Sequence, residues 1–465
     1  MEKTVQPTAS EPVKVPMPPD GASLVKRMSM ARHNLLSVWQ ERDYRVKSIR
    51  FQVLNQDYVI CNSPQSVRHV FMQEHANYDL KSPQMRQALE PLLGDGLFVS
   101  DGDLWRERRK ACAPALSNQL LPGFSDVMSS SAQETARHWR QLPADQPVDM
   151  LGEMARLTAR IIGRTVFGDD TREEEAAQVV AGFTEYQRHV EQLDLGSTLG
   201  LPLLSLLGNP LRRRRTRYSA QQVHDIIDRI IDRREQGDAS DFSLIDHFLQ
   251  RGSAQTGKCP MSRDAARNEA VVMFMAGHET TANALTWAWY LLDHDPQSMD
   301  RLHQELDDVL QGRDPTFADV ERLPFTRAVF EEAMRLYPPV PLLSRQARES
   351  DRVLNRDVRP GTVILVLPWL LHRHRLLWDN PDHFVPERFM PDSPRPDKCA
   401  YLPFSVGPRV CLGKRFGLTE AILCLATLAQ HFRPRRVPGH EVSIDCRLTL
   451  RPAGGMPMFL ERRVG

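Results

Sequence analysis

The stretch PFSVGPRVCLGKRFG, residues 403–417, holds one cysteine among glycine, proline and cationic residues, and an apolar run with helical spacing begins almost at once. The thiolate, not the thiol, is the nucleophile and metal ligand of cysteine chemistry, and its pKa falls at a helix N-terminus and beside cations. The sequence LGKRFGLTEAILCLATLAQHF predicts a helix starting just past Cys411, with Leu418, Ile422 and Leu425 on one face. Arg409, Lys414 and Arg415 bring positive charge near the sulfur. Gly407 and Gly413 permit a tight turn and close approach of backbone to a flat partner. Such a thiolate suits a catalytic nucleophile or the axial ligand of an iron porphyrin. A nucleophile needs a base, and no histidine lies in the stretch, so a base would have to arrive from elsewhere in the fold. A buried structural cysteine is the third possibility.

The rest of the chain narrows the class. With 465 residues it is long enough to bury a sizeable core. Sixty Lys+Arg against 59 Asp+Glu leave a net charge of +1, which gives no electrostatic reason to expect a nucleic-acid partner. The seven cysteines are scattered without CxxC or zinc-like spacing, so a reducing, cytoplasmic setting is expected rather than a disulfide framework. No apolar run approaches the ~18 residues of a membrane span, so a soluble protein without a transmembrane anchor is expected. TVILVLPWLL, 362–371, is short, contains Pro368 and reads as buried strand. The first 21 residues are proline-rich and polar, without the apolar core of a signal peptide, and read as a flexible leader.

After that leader, SLVKRMSMARHNLLSVWQERDY carries helical spacing. YRVKSIRFQVLNQDYVICN reads as two strands, and SPQSVRHVFMQE as a helix capped by serine. From about 126 to 350 the pattern is mostly helical, and strand-like text returns near 352–366. Strands at both ends around a helical middle predict one integrated, mainly α (α+β) domain over 22–465. The segment 195–217, LGSTLGLPLLSLLGNPLRRRRTR, is either a mobile surface connection or a contact with a membrane surface.

Within the opening stretch, Phe404-x-x-Gly407-x-Arg409-x-Cys411-x-Gly413 fixes five positions in ten. This pattern resembles the haem-binding loop of the cytochrome P-450 monooxygenases. The resemblance implies that Cys411 is the axial ligand of the haem iron, pushing electron density that favours O–O cleavage. It further implies that Phe404 packs beside the sulfur and that Arg409 pairs with a haem propionate.

Three more segments support it. EAVVMFMAGHETTANALTWAWYLL, 269–292, is a long helical run interrupted by Ala276, Gly277, His278, Glu279, Thr280 and Thr281. Small residues and threonine loosen a helix locally, leaving a groove with a hydroxyl and a carboxylate beside it. The run is similar to the family's oxygen-binding helix, with Ala276 and Gly277 leaving room for oxygen and Glu279 and Thr280 as the acid–alcohol pair. In FEEAMRLYPPVP, 330–341, Glu332 and Arg335 share a helix face, and Arg388 follows in FVPERF, 384–389. These three resemble the family's structural Glu–Arg–Arg network and are expected as scaffold. In GDGLFVSDGDLWRERRKACAP, 94–114, Trp105 and Arg109 stand four apart on one helix face. They resemble the helix that meets a propionate, and Arg345 in PLLSRQA matches a further propionate position. Arginine suits a carboxylate because it is planar, bidentate and permanently charged.

The family implies a single helix-rich domain with small β-sheets, holding haem b between the long central helix and the cysteine-bearing loop. It implies a monooxygenase that inserts one atom of O2 into a hydrophobic small molecule, such as a fatty acid, terpenoid or steroid-like compound. The sequence from 418 to 465 is too short for a fused flavin or iron–sulfur domain, so electrons are expected from a separate ferredoxin or flavodoxin and its reductase. The resemblance puts Arg106, Arg108, Lys110, Lys414 and Arg415 near the proximal face, where they are either a basic dock for an acidic partner or ordinary solvated charges. By the same resemblance, pocket candidates are residues 89–98, the helix near Phe274, Val340 to Leu343, and the Gly454-Gly455-Met456 turn. The alternatives are a peroxide-driven haem-thiolate enzyme, against which the Glu279–Thr280 pair argues, and a non-catalytic haem-binding protein.

Overall fold

The computed structural model describes residues 11–31, 34–53, 55–168, 173–189, 210–236, 243–249, 261–446 and 448–463. Two strands near the start, β1 (Ser48–Val53) and β2 (Gln56–Cys61), form an antiparallel hairpin with Phe51 opposite Tyr58. Their partners come from the far end of the chain, β3 (Leu343–Gln346) and β4 (Val363–Val366). The sheet order is β1-β2-β4-β3, with β2 and β4 parallel and β3 and β4 antiparallel. Pairing of segments about three hundred residues apart makes the chain one domain, as the strand text at both ends predicted. TVILVLPWLL is only half strand: it leaves the sheet after Val366, and Pro368 opens the short helix Pro368–Leu371. Proline is at home at a helix start, where its missing N–H is needed by nobody.

The helical body contains α1 (Pro83–Leu93), α2 (Gly102–Cys112), α3 (Leu121–Gln141), α4 (Met150–Phe167), α5 (Glu173–His189) and α6 (Pro210–Gln236). Then come α7 (Arg263–His294), α8 (Pro324–Leu336) and α9 (Lys414–His431). The described arginines of the 212–215 run, Arg214 and Arg215, are exposed on the early turns of α6; residues 195–209 lie outside the described residues.

The helix α7 spans 32 residues and begins where the Ser262 side chain accepts from Ala265 N at 3.2 Å. It is apolar on nearly every side, which in a globular protein means burial, and α1, α4, α6, α8 and α9 pack against it in a common core. Near its end Trp287 stacks on Tyr337 with ring centroids 4.0 Å apart. The helix is continuous through 276–281, so the small residues do not break it. Its neighbour α8 starts at Pro324, where the Glu305 carboxylate accepts from Phe325 N and Thr326 N at 2.6 and 2.8 Å. That contact satisfies donors a helix start leaves open.

Two features depart from expectation. Residues 11–21 are held on the body rather than leading freely away from it. Val15 is buried, Val13 N donates to Tyr290 Oη at 3.0 Å, Tyr337 Oη donates to Val13 O at 2.8 Å, and Lys14 pairs with Asp382 at 2.9 Å. Two valines between polar and proline residues were enough to anchor the strap. After α9 the chain forms further strands, β5 (Phe432–Arg436) and β6 (Pro457–Arg462), which pair antiparallel. Prolines and arginines obscure their alternation in the sequence.

Candidate functional site

The cysteine loop is built by backbone bonds. Ser405 N donates to Leu402 O at 3.1 Å, Val410 N to Gly407 O at 3.0 Å, and Cys411 N to Phe404 O at 2.8 Å. Gly407 has φ +76, and a Cβ there would sit 1.9 Å from the Phe71 carbonyl oxygen. The neighbouring segment His69–Gln73 therefore by itself requires glycine here. Gly413 has φ −82, and its Cβ would lie 4.0 Å from Cys411 Sγ, an ordinary contact. Cys411 opens into an interior chamber rather than to bulk solvent. Burial pushes its thiol above the ordinary value, and the Gly413 N–H, Arg109 and Lys414 pull it back only in part. The lowered pKa expected from helix start and cations is thus not met by the protein alone. A coordinated metal deprotonates a thiol outright.

The chamber has a volume of about 280 Å3 and lies between this loop and α7. Phe404, Arg409, Cys411, Gly413, Trp105 and Arg109 all line it, and so do Arg345, Ala276, Gly277 and Thr280. Residues named from four separate stretches of sequence therefore meet in one place. Leu97, Phe98, Val272, Met273, Val340 and Leu343 give it an apolar wall. Of the wider pocket candidates, Phe274 instead faces Phe167 and His278. The Gly454–Met456 turn pins the start of α4, where Met456 N donates to Asp149 Oδ1 at 2.7 Å and Met150 N to Met456 O at 2.9 Å.

On the α7 wall, Ala276 is exposed to the chamber in the middle of a mostly buried helix. Thr280 Oγ1 donates to Ala276 O at 2.6 Å, and Thr281 lies beside it on the lining. A Cβ on Gly277 would lie 2.7 Å from Ile162 Cδ1, so this glycine lets α7 and α4 approach as well as bordering the chamber. His278 turns toward α4, with Nδ1 3.1 Å from Thr158 Oγ1, and burial lowers its pKa to about 4, so it is neutral. Glu279 departs from its expected place. Its carboxylate accepts from Gln187 Nε2 at 2.8 Å and Thr449 Oγ1 at 2.7 Å, away from the chamber lining. Burial raises its pKa, opposed by Thr449, Arg451 and Gln187.

Cations gather at one edge. Arg345 Nη1 donates to Ser344 O at 2.8 Å. Arg409 Nη2 donates to Ser100 O at 3.0 Å and meets Asp101 Oδ1 at 3.2 Å, with its guanidinium 4.4 Å from the Trp105 ring centroid. Arg109 Nη1 donates to Val410 O at 2.7 Å. Lys81, which the sequence did not single out, is buried with its ammonium 4.5 Å from the centroid of the Phe98 ring. Burial lowers Arg345 and Arg409 to about 10, and burial with Arg345 and Arg409 nearby drives Lys81 well below the ordinary lysine value. Asp101 is the nearest counter-ion and is shared with Arg86. Among the described residues the Arg409 Nε has no hydrogen-bond partner. Buried cations short of partners call for anions, and haem b brings two carboxylates. With the thiol opposite the small-residue wall, the residues present fit haem b.

Glu332, Arg335 and Arg388 are absent from the chamber lining. Glu332 receives two bonds from Arg335, at 2.7 and 2.8 Å, and one from Val385 N at 2.9 Å, with Arg388 Nε at 3.4 Å. They tie α8 to the segment preceding the cysteine loop, as scaffold does. Glu420 was also missed. It is fully buried on α9 and lines the chamber, and among the described residues neither carboxyl oxygen has a partner at full hydrogen-bond geometry. Burial pushes its pKa well above the usual carboxylate range, with only Thr281 opposing. A lone acid inside LTEAILCLATLA was the signal available.

Comparison with known proteins agrees with this geometry. The family model described as Cytochrome P450 matches residues 16–457. "Cyclooctatin synthase" of Streptomyces melanosporofaciens is 33% identical over 408 residues, covering 87% of this chain and 86% of that protein. "Cyclooctat-9-en-7-ol 5-monooxygenase" of the same organism is 31% identical over 412 residues, covering 87% and 86%. "Carotene epsilon-monooxygenase, chloroplastic" of Arabidopsis thaliana is 28% identical over 434 residues, covering 88% and 78%.

Proposed function

The chain belongs to the cytochrome P450 family of haem b monooxygenases, and from that premise we propose that it oxygenates a bulky hydrocarbon skeleton of the terpenoid type. The observation that carries this proposal is the apolar wall facing Cys411 across the chamber. Relatives named for cyclooctatin, cyclooctat-9-en-7-ol and carotene favour terpenoids over fatty acids or steroids.

Bound haem b supplies the activation of O2 and its insertion into the substrate. The protein's own residues hold and orient. Cys411 Sγ would hold the iron, and Arg345, Arg409, Arg109 and Lys81 would hold the propionates, which would relieve buried positive charge. Ala276 keeps the opposite wall low enough for a small ligand. The Thr280 hydroxyl, donating to Ala276 O, offers its oxygen to a proton donor in the chamber. Glu279 acts as a proton store behind α7 rather than as a group touching the reacting atoms, because Gln187 and Thr449 hold it there.

Electrons come from a separate carrier of the ferredoxin or flavodoxin type and its reductase. Arg106, Lys110, Lys414 and Arg415 are exposed and form the dock for its acidic surface. Arg108 does not join them, being buried against Asp95 and Glu269. The scattered cysteines, without CxxC spacing, favour work in the reducing cytoplasm.

The test is spectroscopic. Reduced, CO-treated protein should show the red-shifted Soret band of thiolate-ligated haem, and Cys411→Ala should lose it. A screen of terpenoids, fatty acids and steroids for spin-state shifts should then give its strongest responses among terpenoids. A band retained in Cys411→Ala rejects the ligand assignment, and strongest shifts among fatty acids reject the substrate class.

A further inference from the structure

An acid inside α7 has no place in the chemistry above. Glu269 is fully buried, one turn from the chamber residues Val272 and Met273. Both of its carboxyl oxygens accept from Leu97 N, at 2.9 and 3.1 Å, and Arg108 Nε stands 3.7 Å away. Its neighbour Asn268 donates through Nδ2 to Asp95 Oδ1 at 2.9 Å, while Arg108 Nη2 donates to Asp95 Oδ2 at 2.7 Å. The loop GDGLF, 94–98, is therefore fastened at Asp95 and at Leu97, to α7 directly and to α2 through Arg108.

Two glycines make the approach possible. A Cβ on Gly94 would lie 2.4 Å from Asn268 Nδ2, and one on Gly96 would lie 2.7 Å from Val272 Cγ2. The fastened loop is the segment that presents Leu97 and Phe98 to the chamber. Phe98 remains 38% exposed, so its own packing does not fix it. A buried carboxylate carries a desolvation penalty that an apolar residue at the same place would avoid, which asks for a use beyond filling space.

We propose that Glu269 is a positioning residue for substrate selection: with Asn268 and Arg108 it locks loop 94–98 onto α7, and this lock, rather than the wall side chains alone, sets the width of the chamber beside Leu97 and Phe98. The proposal rests on the haem-thiolate function for its probe only.

The ferric holoprotein is titrated with imidazole and with 4-phenylimidazole, which share the iron-binding nitrogen and differ in bulk. Glu269→Ala should change the ratio of the two dissociation constants by at least about fivefold, with imidazole itself nearly unmoved. Glu269→Gln, whose amide oxygen still accepts from Leu97 N, should restore most of the native ratio. Hydrogen exchange at residues 94–98 should quicken in Glu269→Ala and not on α2. Asn268→Ala, which releases Asp95 from α7 without stranding a buried acid, carries the same expectations should Glu269→Ala fail to fold. An unchanged ratio, or equal shifts for both ligands, overturns the proposal. Wild-type protein that gives no Soret shift with imidazole would instead reject the haem-thiolate function.

Discussion

Arg335 and Glu332, both fully buried, are joined by two parallel hydrogen bonds of 2.7 and 2.8 Å, and the other donors of Arg335 are taken up by main-chain carbonyls. Those acceptors are His372 O at 2.8 Å, Pro381 O at 2.7 Å and His383 O at 2.9 Å. All five N–H groups of one guanidinium thus organise α8 and the approach to the cysteine loop. Arg335→Lys keeps the charge but offers three donors from one point. It should lose about 3 kcal/mol or more of stability, as broken buried pairs do, read as a shift in urea midpoint with lower haem content. Near-native stability would show that the carbonyls find other donors.

The two glycines of the loop should behave differently. Gly407→Ala drives a Cβ into the Phe71 carbonyl and strains a left-handed φ, and should cost more than about 2 kcal/mol. Gly413→Ala meets only ordinary contact with Cys411 Sγ. It should stay within about 0.5 kcal/mol of native while altering the position of the Soret band. Thermal unfolding and absorbance of both variants decide the matter, and equal loss in the two would contradict the geometry.

Adjacent positions on α7 should also separate. Gly277→Ala presses on Ile162 and should destabilise by about 1–3 kcal/mol. Ala276→Leu projects into the chamber, so stability should hold while small ligands of the iron bind at least about tenfold more weakly. Unfolding curves and cyanide titrations distinguish the two effects.

Lys81 gives a prediction of opposite sign in two states. Without haem it adds to buried positive charge already crowded by Arg345 and Arg409, so Lys81→Met should stabilise the apoprotein. With haem it loses a carboxylate partner, and transfer of haem to apomyoglobin should quicken by about tenfold or more. Faster unfolding of the apo variant would argue that Lys81 is balanced without haem.

Two buried histidines set an acid limit. Burial lowers His278 to about 4, and burial aided by Arg335 and Arg373 lowers His372 to about 3. His372 Nε2 accepts from Leu402 N at 2.8 Å, which requires the neutral ring. The unfolded chain takes up these protons near pH 6.5, so their stabilisation is complete above that pH. It is lost as pH falls through 6.5 toward 4 and 3. His372→Gln should flatten stability against pH across this window, and an unchanged slope would remove His372 from the account.

Much of the site was legible because its signals are local. The cysteine with its glycines and arginine, the Trp105–Arg109 spacing, the Glu332–Arg335 spacing and the small residues of α7 each act within one turn or one helix face. Arg345 had no secondary structure assigned from its sequence; it lies in β3 and reaches the same chamber. Lys81 was unreadable, since a lysine before a serine-capped helix looks like any solvated charge until Phe98, Arg345 and Arg409 surround it.

The sequence by itself determined the helix order, the loop that carries Cys411, and the set of residue types able to hold an iron porphyrin. Caps, turn residues and 3.6-residue periodicity depend on neighbours along the chain, so they can be read from it. Only the tertiary structure decided which face each residue shows. Glu279 and Thr280 are consecutive, yet a turn of about 100° per residue sends one behind α7 and the other into the chamber. It also decided that Gly277 and Gly407 answer to Ile162 and Phe71, that residues 11–21 are strapped down, and that burial outweighs the cations beside Cys411. Desolvation and steric fit are set by atoms distant in the chain, and no local spacing encodes them.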